Sequence, residues 1–321
     1  MPNYLQKTQI NIFMNQQIHP WLKEDLNDLL VDGKINRAIS LSRDLSNLMK
    51  SSMFFGHFSE PHYPTTNFDA NTVFVHLNPG AGLGNIASEE EFYAQKWNRQ
   101  QLIAEYKLSE NASIEQLIEA YAESWRNYAY NRFVRDKEFD NFDYKQACFL
   151  LHWENSGIEL KKGDLKDREI QQTNSVNVIN QKLQLELFPY GSNTIDTNKI
   201  VKAFELEPSI IAPYIENLLD IIVLHPRKYI LFGSRIFSSL FKIYHQKIQP
   251  IIELNEVEQK FTGITKNSLA FSFVRLNWKN QQINAGIAHS FPRRDLPNAY
   301  DKMAEYGKLC WEDFKNKLKT N

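Results

Sequence analysis

The chain has 321 residues, 42% of them hydrophobic, which is enough for one large or two medium domains with a substantial core. Its 37 Lys and Arg residues nearly balance 38 Asp and Glu residues, so the net charge of −1 excludes a global field that attracts nucleic acid. Any nucleic-acid site must therefore be a local basic patch. The two cysteines, Cys148 and Cys310, are too few for a disulfide framework and predict free thiols in a reducing compartment.

No apolar run approaches the length of a membrane span, and the first fifteen residues lack the apolar core of a signal peptide. We therefore expect a cytoplasmic protein that does not bind membranes. The lone His57 and His62 stand beside aromatic residues, and no further His, Cys or Asp cluster has metal-ligand spacing. We expect no metal, and nothing in the sequence demands an organic cofactor.

The first 50 residues predict a helical extension. Leucines and isoleucines recur at helical spacing over residues 18–30 and 34–50, and Asp32-Gly33 separates the two stretches. We expect this extension to precede one α/β domain over residues 51–321. That domain opens with a buried strand at Val73–Leu77, which the turn residues Asn78-Pro79-Gly80 end.

A helical insertion is predicted at about residues 88–140. It begins at Ser88-Glu89-Glu90-Glu91, which is typical of a capped, acidic helix start. Aromatic residues alternate with arginines over residues 125–135. This pattern occurs in single-strand nucleic-acid sites, and more often in packed helices whose arginines reach solvent.

The remaining segments predict the strands and helices of a parallel sheet. Residues 228–233 form a strand that ends in glycine, and residues 236–247 form the helix that follows it. The other predicted segments are a strand or buried helix at 143–155, an apolar run over 176–188, helical turns over 199–219, extended runs at 267–275 and 284–289, and a closing helix at 296–319.

Four apolar runs end in polar turns, at His76–Gly80, Phe188–Asn193, Gly233–Arg235 and His289–Arg294. The carboxyl ends of parallel strands share one sheet edge, where ligands bind in open α/β sheets. The sequence therefore predicts a three-layer α/β/α fold with a mainly parallel central sheet and a site at that edge.

The order of these motifs resembles the uracil-DNA glycosylase superfamily over roughly residues 70–300. His76-Leu77-Asn78-Pro79-Gly80 is similar to the Gly-Ile-Asn-Pro-Gly motif of its mismatch-specific, thymine-glycosylase-like form. His289-Ser290-Phe291-Pro292-Arg293 is similar to the His-Pro-Ser-Pro loop that ends the last strand. The resemblance implies a uracil-DNA-glycosylase-like fold and a monomeric DNA-repair hydrolase that removes a damaged or mismatched base by base flipping.

The resemblance also implies roles for individual residues. Asn78 falls where the family orients the attacking water, and His289 falls where it stabilises the departing base. Arg293 falls where the family inserts a residue into the duplex, and Arg294 beside it is expected to contact phosphate. The expected substrate-binding residues are His76, Leu77, Pro79, Gly80, Glu186, Phe188, Tyr190 and Ser290.

Three positions depart from the family pattern. His76 replaces a glycine and crowds the expected base pocket, and Ser290-Phe291 replaces Pro-Ser. Glu186 or Phe188 lies near the position of the family's base-reading Asn, and a glutamate there is expected to read a different hydrogen-bond pattern from that of uracil. A catalytically altered module that binds nucleic acid or a partner is therefore the first alternative. A phosphate-binding α/β hydrolase that uses Gly80–Gly84 is the second.

Overall fold

In a computed structural model of the chain, the structure describes residues 19–65, 67–78, 86, 88–126, 141–153, 167, 169–170, 173, 177–178, 181–192, 195–264, 269–289, 291 and 300–320. Within these ranges it contains ten α-helices and six strands of one mixed sheet.

The helices are α1 Leu22–Asp32, α2 Asn36–Met49, α3 Glu89–Ala94, α4 Arg99–Glu105, α5 Ile114–Arg126, α6 Asn141–Trp153, α7 Thr197–Leu206, α8 Ala212–Val223, α9 Ile236–Lys247 and α10 Tyr300–Thr320. The strands are β1 Thr72–His76, β2 Lys182–Glu186, β3 Tyr229–Phe232, β4 Ile252–Phe261, β5 Leu269–Trp278 and β6 Gln281–Ala288.

The sheet has the order β2-β1-β3-β6-β5-β4. The first four strands run parallel, and β5 and β4 add antiparallel pairings on one side. The predicted α/β class with a mainly parallel sheet is therefore confirmed. The sequence prediction did not include β4, which lies at an edge of the described sheet. Charged residues are typical of such an edge, and they hide the apolar alternation that predicts a strand.

β1 lies between β2 and β3 and is paired with both. Val73, Phe74 and Val75 are fully buried, as expected for the β-branched and aromatic residues of a strand that is covered on both faces. The parallel register on both sides aligns the carboxyl ends of β1, β2 and β3.

Helices cover both faces of the sheet. On one face, Phe271 contacts Trp153 of α6, with ring centroids 5.4 Å apart, and Phe273 contacts Phe314 of α10 at the same distance. On the other face, Phe232 packs against α9. Layers of helices on both sides of a parallel sheet bury the apolar side chains of every inner strand.

α6 is the segment for which the sequence left strand and buried helix open, and it is a helix. It packs closely against α10 at Gly307, where an added Cβ would lie 2.3 Å from the carbonyl oxygen of Phe149. Glycine at this position therefore permits a closer approach of the two helices than any other residue.

The chain divides into two compact units. Unit 1 takes Met1–Phe68, Asn78–Arg126 and Phe188–Ile195, and its described elements are α1 to α5. Unit 2 takes Asp69–Leu77, Asn127–Leu187 and Asp196–Asn321, and contains the sheet, α6 and the helices from α7 onward. The predicted N-terminal helices and the predicted capped helix, whose Ser88 hydroxyl accepts from the Glu91 amide at 3.0 Å, lie in unit 1.

Unit 1 contains a buried, hydrogen-bonded carboxylate, that of Asp25. Asp25 is 1% exposed and accepts hydrogen bonds from the hydroxyls of Tyr63 and Tyr190, the latter at 2.7 Å. Arg37 donates its Nε–H to the other oxygen of Asp25 at 3.3 Å and also pairs with Glu24. Burial raises the pKa of Asp25 to about 6, and the two tyrosines and Arg37 oppose that rise.

None of the helices within the described ranges is both long and apolar enough to cross a bilayer.

Replacing Gly307 by alanine is expected to destabilise the protein by about 1–3 kcal/mol, because the new methyl group forces α6 and α10 apart. Urea unfolding followed by circular dichroism measures the change. Lys308→Ala, at the exposed neighbouring position, is the control and is expected to change stability by less than about 0.5 kcal/mol. Equal stability of the two variants would contradict the close packing.

Replacing Asp25 by alanine is expected to cost about 3–5 kcal/mol, because it removes the partner of a partly buried guanidinium and of two buried hydroxyls. Asp25→Asn keeps one acceptor oxygen and should cost less. The control is Glu24→Ala on the same helix, where a side chain that is 69% exposed makes a surface pair with Arg37. Its expected cost is about 0–1 kcal/mol, and a similar loss in Glu24→Ala and Asp25→Ala would refute the argument.

Candidate functional site

The carboxyl edge of the parallel strands in unit 2 carries the candidate site. β1, β2, β3 and β6 end there, and polar residues stand at or after three of these ends: His76 and Glu186 at the ends of β1 and β2, and His289 after β6. Ligands of open α/β sheets bind outside this edge because the backbone groups and loops there are not covered by further strands. The structure thus places these three strand ends at one sheet edge, and the site predicted there stays a prediction.

His76 and Glu186 are direct neighbours. They are the last partners in the parallel register of β1 and β2, and both are half-buried. The amide of Leu187 donates to the carbonyl oxygen of His76 at 2.9 Å, which extends the pairing by one bond. The backbone therefore holds the imidazole and the carboxyl group side by side.

A chain of polar side chains continues from this pair along β2. Lys182, Gln184 and Glu186 alternate along the strand and so share one face of the sheet. The ammonium group of Lys182, a buried residue, donates to the amide oxygens of Gln184, at 2.9 Å, and of Gln146 on α6. The amide nitrogen of Gln146 lies 2.6 Å from Nε2 of His76. One lysine and two amides therefore connect β2, α6 and the end of β1.

The imidazole of His76 is neutral. Burial lowers its pKa to about 3, and the charge of Lys182 lowers it further. Because the amide nitrogen of Gln146 can only donate, Nε2 of His76 accepts and the ring proton is on Nδ1.

Within the described residues, only one of the two carboxyl oxygens of Glu186 has a hydrogen-bond partner. Oε1 accepts from the amide of Gln184 at 3.1 Å, whereas Oε2 is buried without a hydrogen-bond partner in the described part of the chain. Burial raises the pKa of Glu186 to about 8, against the opposing effects of Gln184 and Lys182. The raised pKa favours the neutral carboxylic acid near neutral pH, and that form offers one donor and one acceptor as an amide does. An ionised glutamate would offer acceptors only, so the protonation state of Glu186 decides which hydrogen-bond pattern it reads.

His289 lies on the opposite face of the sheet. Its Nε2 is 2.9 Å from the hydroxyl of Ser272, and its Nδ1 is 3.8 Å from a carboxylate oxygen of Glu258. Ser272 stands between Phe271 and Phe273, which point to α6 and α10, so Ser272 points away from those helices. His76, in contrast, is bound to Gln146 of α6. The structure thus brings His76 and Glu186 together and sets His289 apart from them.

Asn78 and Leu77 follow β1 directly and are half-buried. Pro79, Gly80, Ser290, Arg293 and Arg294 lie outside the described residues, so their predicted roles stay predictions.

The two aromatic residues that were predicted to bind substrate are fully buried in unit 1. Phe188 packs edge-on against Phe55, with ring centroids 5.2 Å apart. The hydroxyl of Tyr190 donates to Asp25. A ring in such a position has no exposed face on which a base could stack, so neither residue is in a position to bind a base in this structure.

Sequence reasoning missed Gln146, Lys182, Ser272 and Glu258. The alternation of Lys182, Gln184 and Glu186 was the one local signal, because three polar residues at spacing two predict a common strand face. The other contacts join residues that are distant in sequence.

The chain matches no protein-family model, no curated protein and no solved structure. In the part of the chain that the structure describes, no group of three His, Cys, Asp or Glu side chains is arranged to hold a metal ion.

Replacing Glu186 by glutamine is expected to remove a pH dependence of stability. Because the pKa rises from 4.5 to about 8 on folding, the folded chain keeps a proton that the unfolded chain releases, and stability falls as the pH rises through this window. Relative to wild type, Glu186→Gln should gain stability between about pH 5 and pH 8 in urea unfolding. The exposed Glu312→Gln is the control, and a pH-independent difference between wild type and Glu186→Gln would exclude the neutral acid.

Proposed function

We propose that this protein is a glycosylase-like hydrolase that cleaves the N-glycosidic bond of a base flipped out of DNA. The observation that carries the proposal is the common carboxyl edge of β1, β2 and β6, where His76 and Glu186 are paired and His289 follows the last strand. The chain order of these strand ends agrees with the motif order of the uracil-DNA glycosylase superfamily. Cleavage of an N-glycosidic bond is compatible with such a site, because it requires only a held water molecule, a donor to the departing base and a pocket for the base.

Cleavage of an N-glycosidic bond develops positive charge on the sugar and negative charge on the departing base. In the proposed reaction the amide of Asn78 holds the attacking water. An amide is not a strong base, and none is needed when the base departs before the water attacks. His289 stabilises the negative charge on the base, and a fixed donor of this kind contributes about 3–4 kcal/mol.

Glu186 is proposed to read the base. As a neutral acid it donates from one oxygen and accepts at the other, and its Oε2, which has no partner among the described residues, is proposed to make this contact. That pair fits a base with a carbonyl oxygen next to a ring N–H, as in uracil or hypoxanthine. The neutral imidazole of His76 lies beside Glu186 and narrows the space for the base. Above about pH 8 the ionised carboxylate would repel a carbonyl oxygen, so binding should weaken there.

DNA binding is proposed to use a local cationic patch, because the net charge is only −1. Arg293 and Arg294 follow His289 closely in the chain and would hold phosphates beside the site.

A binding module without catalysis is the second candidate. The observation that favours it is the position of His289, whose ring contacts Ser272 and Glu258 and lies on the other sheet face from Glu186. In that case DNA or a partner binds at the edge and no base is released.

The first test incubates the protein with single- and double-stranded oligonucleotides that carry uracil, mismatched thymine, hypoxanthine, xanthine or an ethenylated base. Alkali cleavage detects abasic sites. Base release is expected for at least one substrate, and His289→Ala should slow it about 100- to 1000-fold. Asn78→Ala should also slow it, because the water loses its ligand.

Two variants at the opposite edge serve as controls. Asn71 precedes β1 and His225 precedes β3, so Asn71→Ala and His225→Ala should release the base at the wild-type rate. DNA binding without base release by the folded protein would favour the binding module. If the folded protein neither binds DNA nor releases a base, both proposals are contradicted.

A further inference from the structure

Three side chains meet at the end of β6, and we refer to Glu258, Ser272 and His289 as the His289 cluster. The hydroxyl of Ser272 lies 2.9 Å from Nε2 of the imidazole. A carboxylate oxygen of Glu258 lies 3.8 Å from Nδ1, which is an ion-pair distance and longer than a direct hydrogen bond. The two ring nitrogens therefore face two different partners.

The antiparallel strands build this cluster through their register. Glu258 of β4 is the direct partner of Ser272 of β5, and Ser272 is the partner of Ile287 of β6. His289 follows Ile287 by two residues and so lies on the same face. Its backbone amide donates to the carbonyl oxygen of Ala270 at 3.1 Å, which continues the ladder and fixes the ring near Ser272.

The two partners impose one arrangement of protons on a neutral ring. A carboxylate only accepts, whereas a serine hydroxyl donates or accepts. If the ring proton is on Nδ1, it points towards Glu258, and the hydroxyl of Ser272 donates to Nε2. If the proton is on Nε2, a ring lone pair faces the carboxylate and the interaction is repulsive. The first arrangement alone satisfies both contacts.

We propose that Ser272 and Glu258 are positioning residues that, in the neutral form of the His289 ring, hold its proton on Nδ1. The inference rests on the proposed function in one respect, the role of His289 towards a departing base. In that role the donor is then the Nδ1–H. This N–H points towards the carboxylate of Glu258, so a departing base has to take it over from Glu258, and Nε2 is occupied by Ser272.

The order carboxylate, imidazole, hydroxyl also occurs in serine hydrolases, where the serine attacks a carbonyl. Ser272 does not fit that use. It is fully buried within a strand that is paired on both sides, so no substrate carbonyl reaches its oxygen. The consequence of the His289 cluster is therefore the fixed tautomer of the histidine.

Nitrogen-15 NMR of the histidine side chains in the full chain tests the proposal, because a protonated ring nitrogen and a bare one have distinct shifts. The chain has eight histidines, and the signals absent from His289→Gln identify the ring. In wild type we expect protonated Nδ1 and bare Nε2. Ser272→Ala should lose this single pattern as the Nε2–H tautomer appears, and Ser272→Thr, which keeps a hydroxyl, should restore it.

Glu258→Ala tests the same point at a partly exposed position, should Ser272→Ala fail to fold. Its matched control is Glu253→Ala on the same strand, where the carboxylate accepts from Asn277 and Gln282. A wild-type proton on Nε2, or an unchanged pattern in both Ser272→Ala and Glu258→Ala, would overturn the proposal.

The NMR result does not depend on base release. A fixed Nδ1–H in a protein that releases no base would contradict the glycosylase and leave the positioning intact. Base release by a protein whose His289 ring is a mixture of tautomers would support the glycosylase and contradict the positioning. If the enzyme is active, Ser272→Ala should lower kcat more than it raises KM, because the base meets a misdirected donor after it has bound.

Discussion

The candidate site depends on the two-sided parallel pairing of β1. Its register with β2 places His76 beside Glu186. Its register with β3 aligns the ends of these two strands, and β6 pairs in parallel with the other side of β3. A slip of one residue would turn every side chain of the strand to the other face. Val73, Phe74 and Val75 prevent that slip, because each is fully buried in its present orientation. The apolar core of the sheet therefore determines the positions of the polar groups at its end.

Those polar groups are costly to bury. A buried charge is tolerated when it is paired or hydrogen-bonded, and Lys182 meets this condition through the amide oxygens of Gln146 and Gln184. Glu186 meets it only in part, because Oε2 has no partner in the described residues. The raised pKa is the response of that carboxyl group to incomplete solvation. Buried polar groups with shifted pKa values are frequent at ligand-binding and catalytic sites.

Much of the fold follows from local patterns, and the pairings at the site do not. The apolar run at Val73–Leu77 predicted β1, and the glycine after residues 228–232 predicted the turn into α9. β4 escaped prediction because its edge position allows a charged sequence. The contact between Ser272 and His289 depends on an antiparallel register between residues 17 positions apart, which no local periodicity encodes. The close packing of α6 and α10 could likewise not be predicted, because it depends on the contact between Gly307 and Phe149, which are far apart in sequence.

The interleaving of the two units along the chain constrains synthesis of the protein. Each unit consists of three separate stretches, so neither corresponds to a continuous piece of the gene. As the chain leaves the ribosome, unit 1 cannot complete its fold until Ile195 has been synthesised. Unit 2 cannot complete its fold until α10, which ends at Thr320, has been synthesised. Domains generally fold in order from the amino terminus. Here the early strand β1 is made more than a hundred residues before its neighbours β2 and β3, so during translation this apolar strand is left without its native pairing partners.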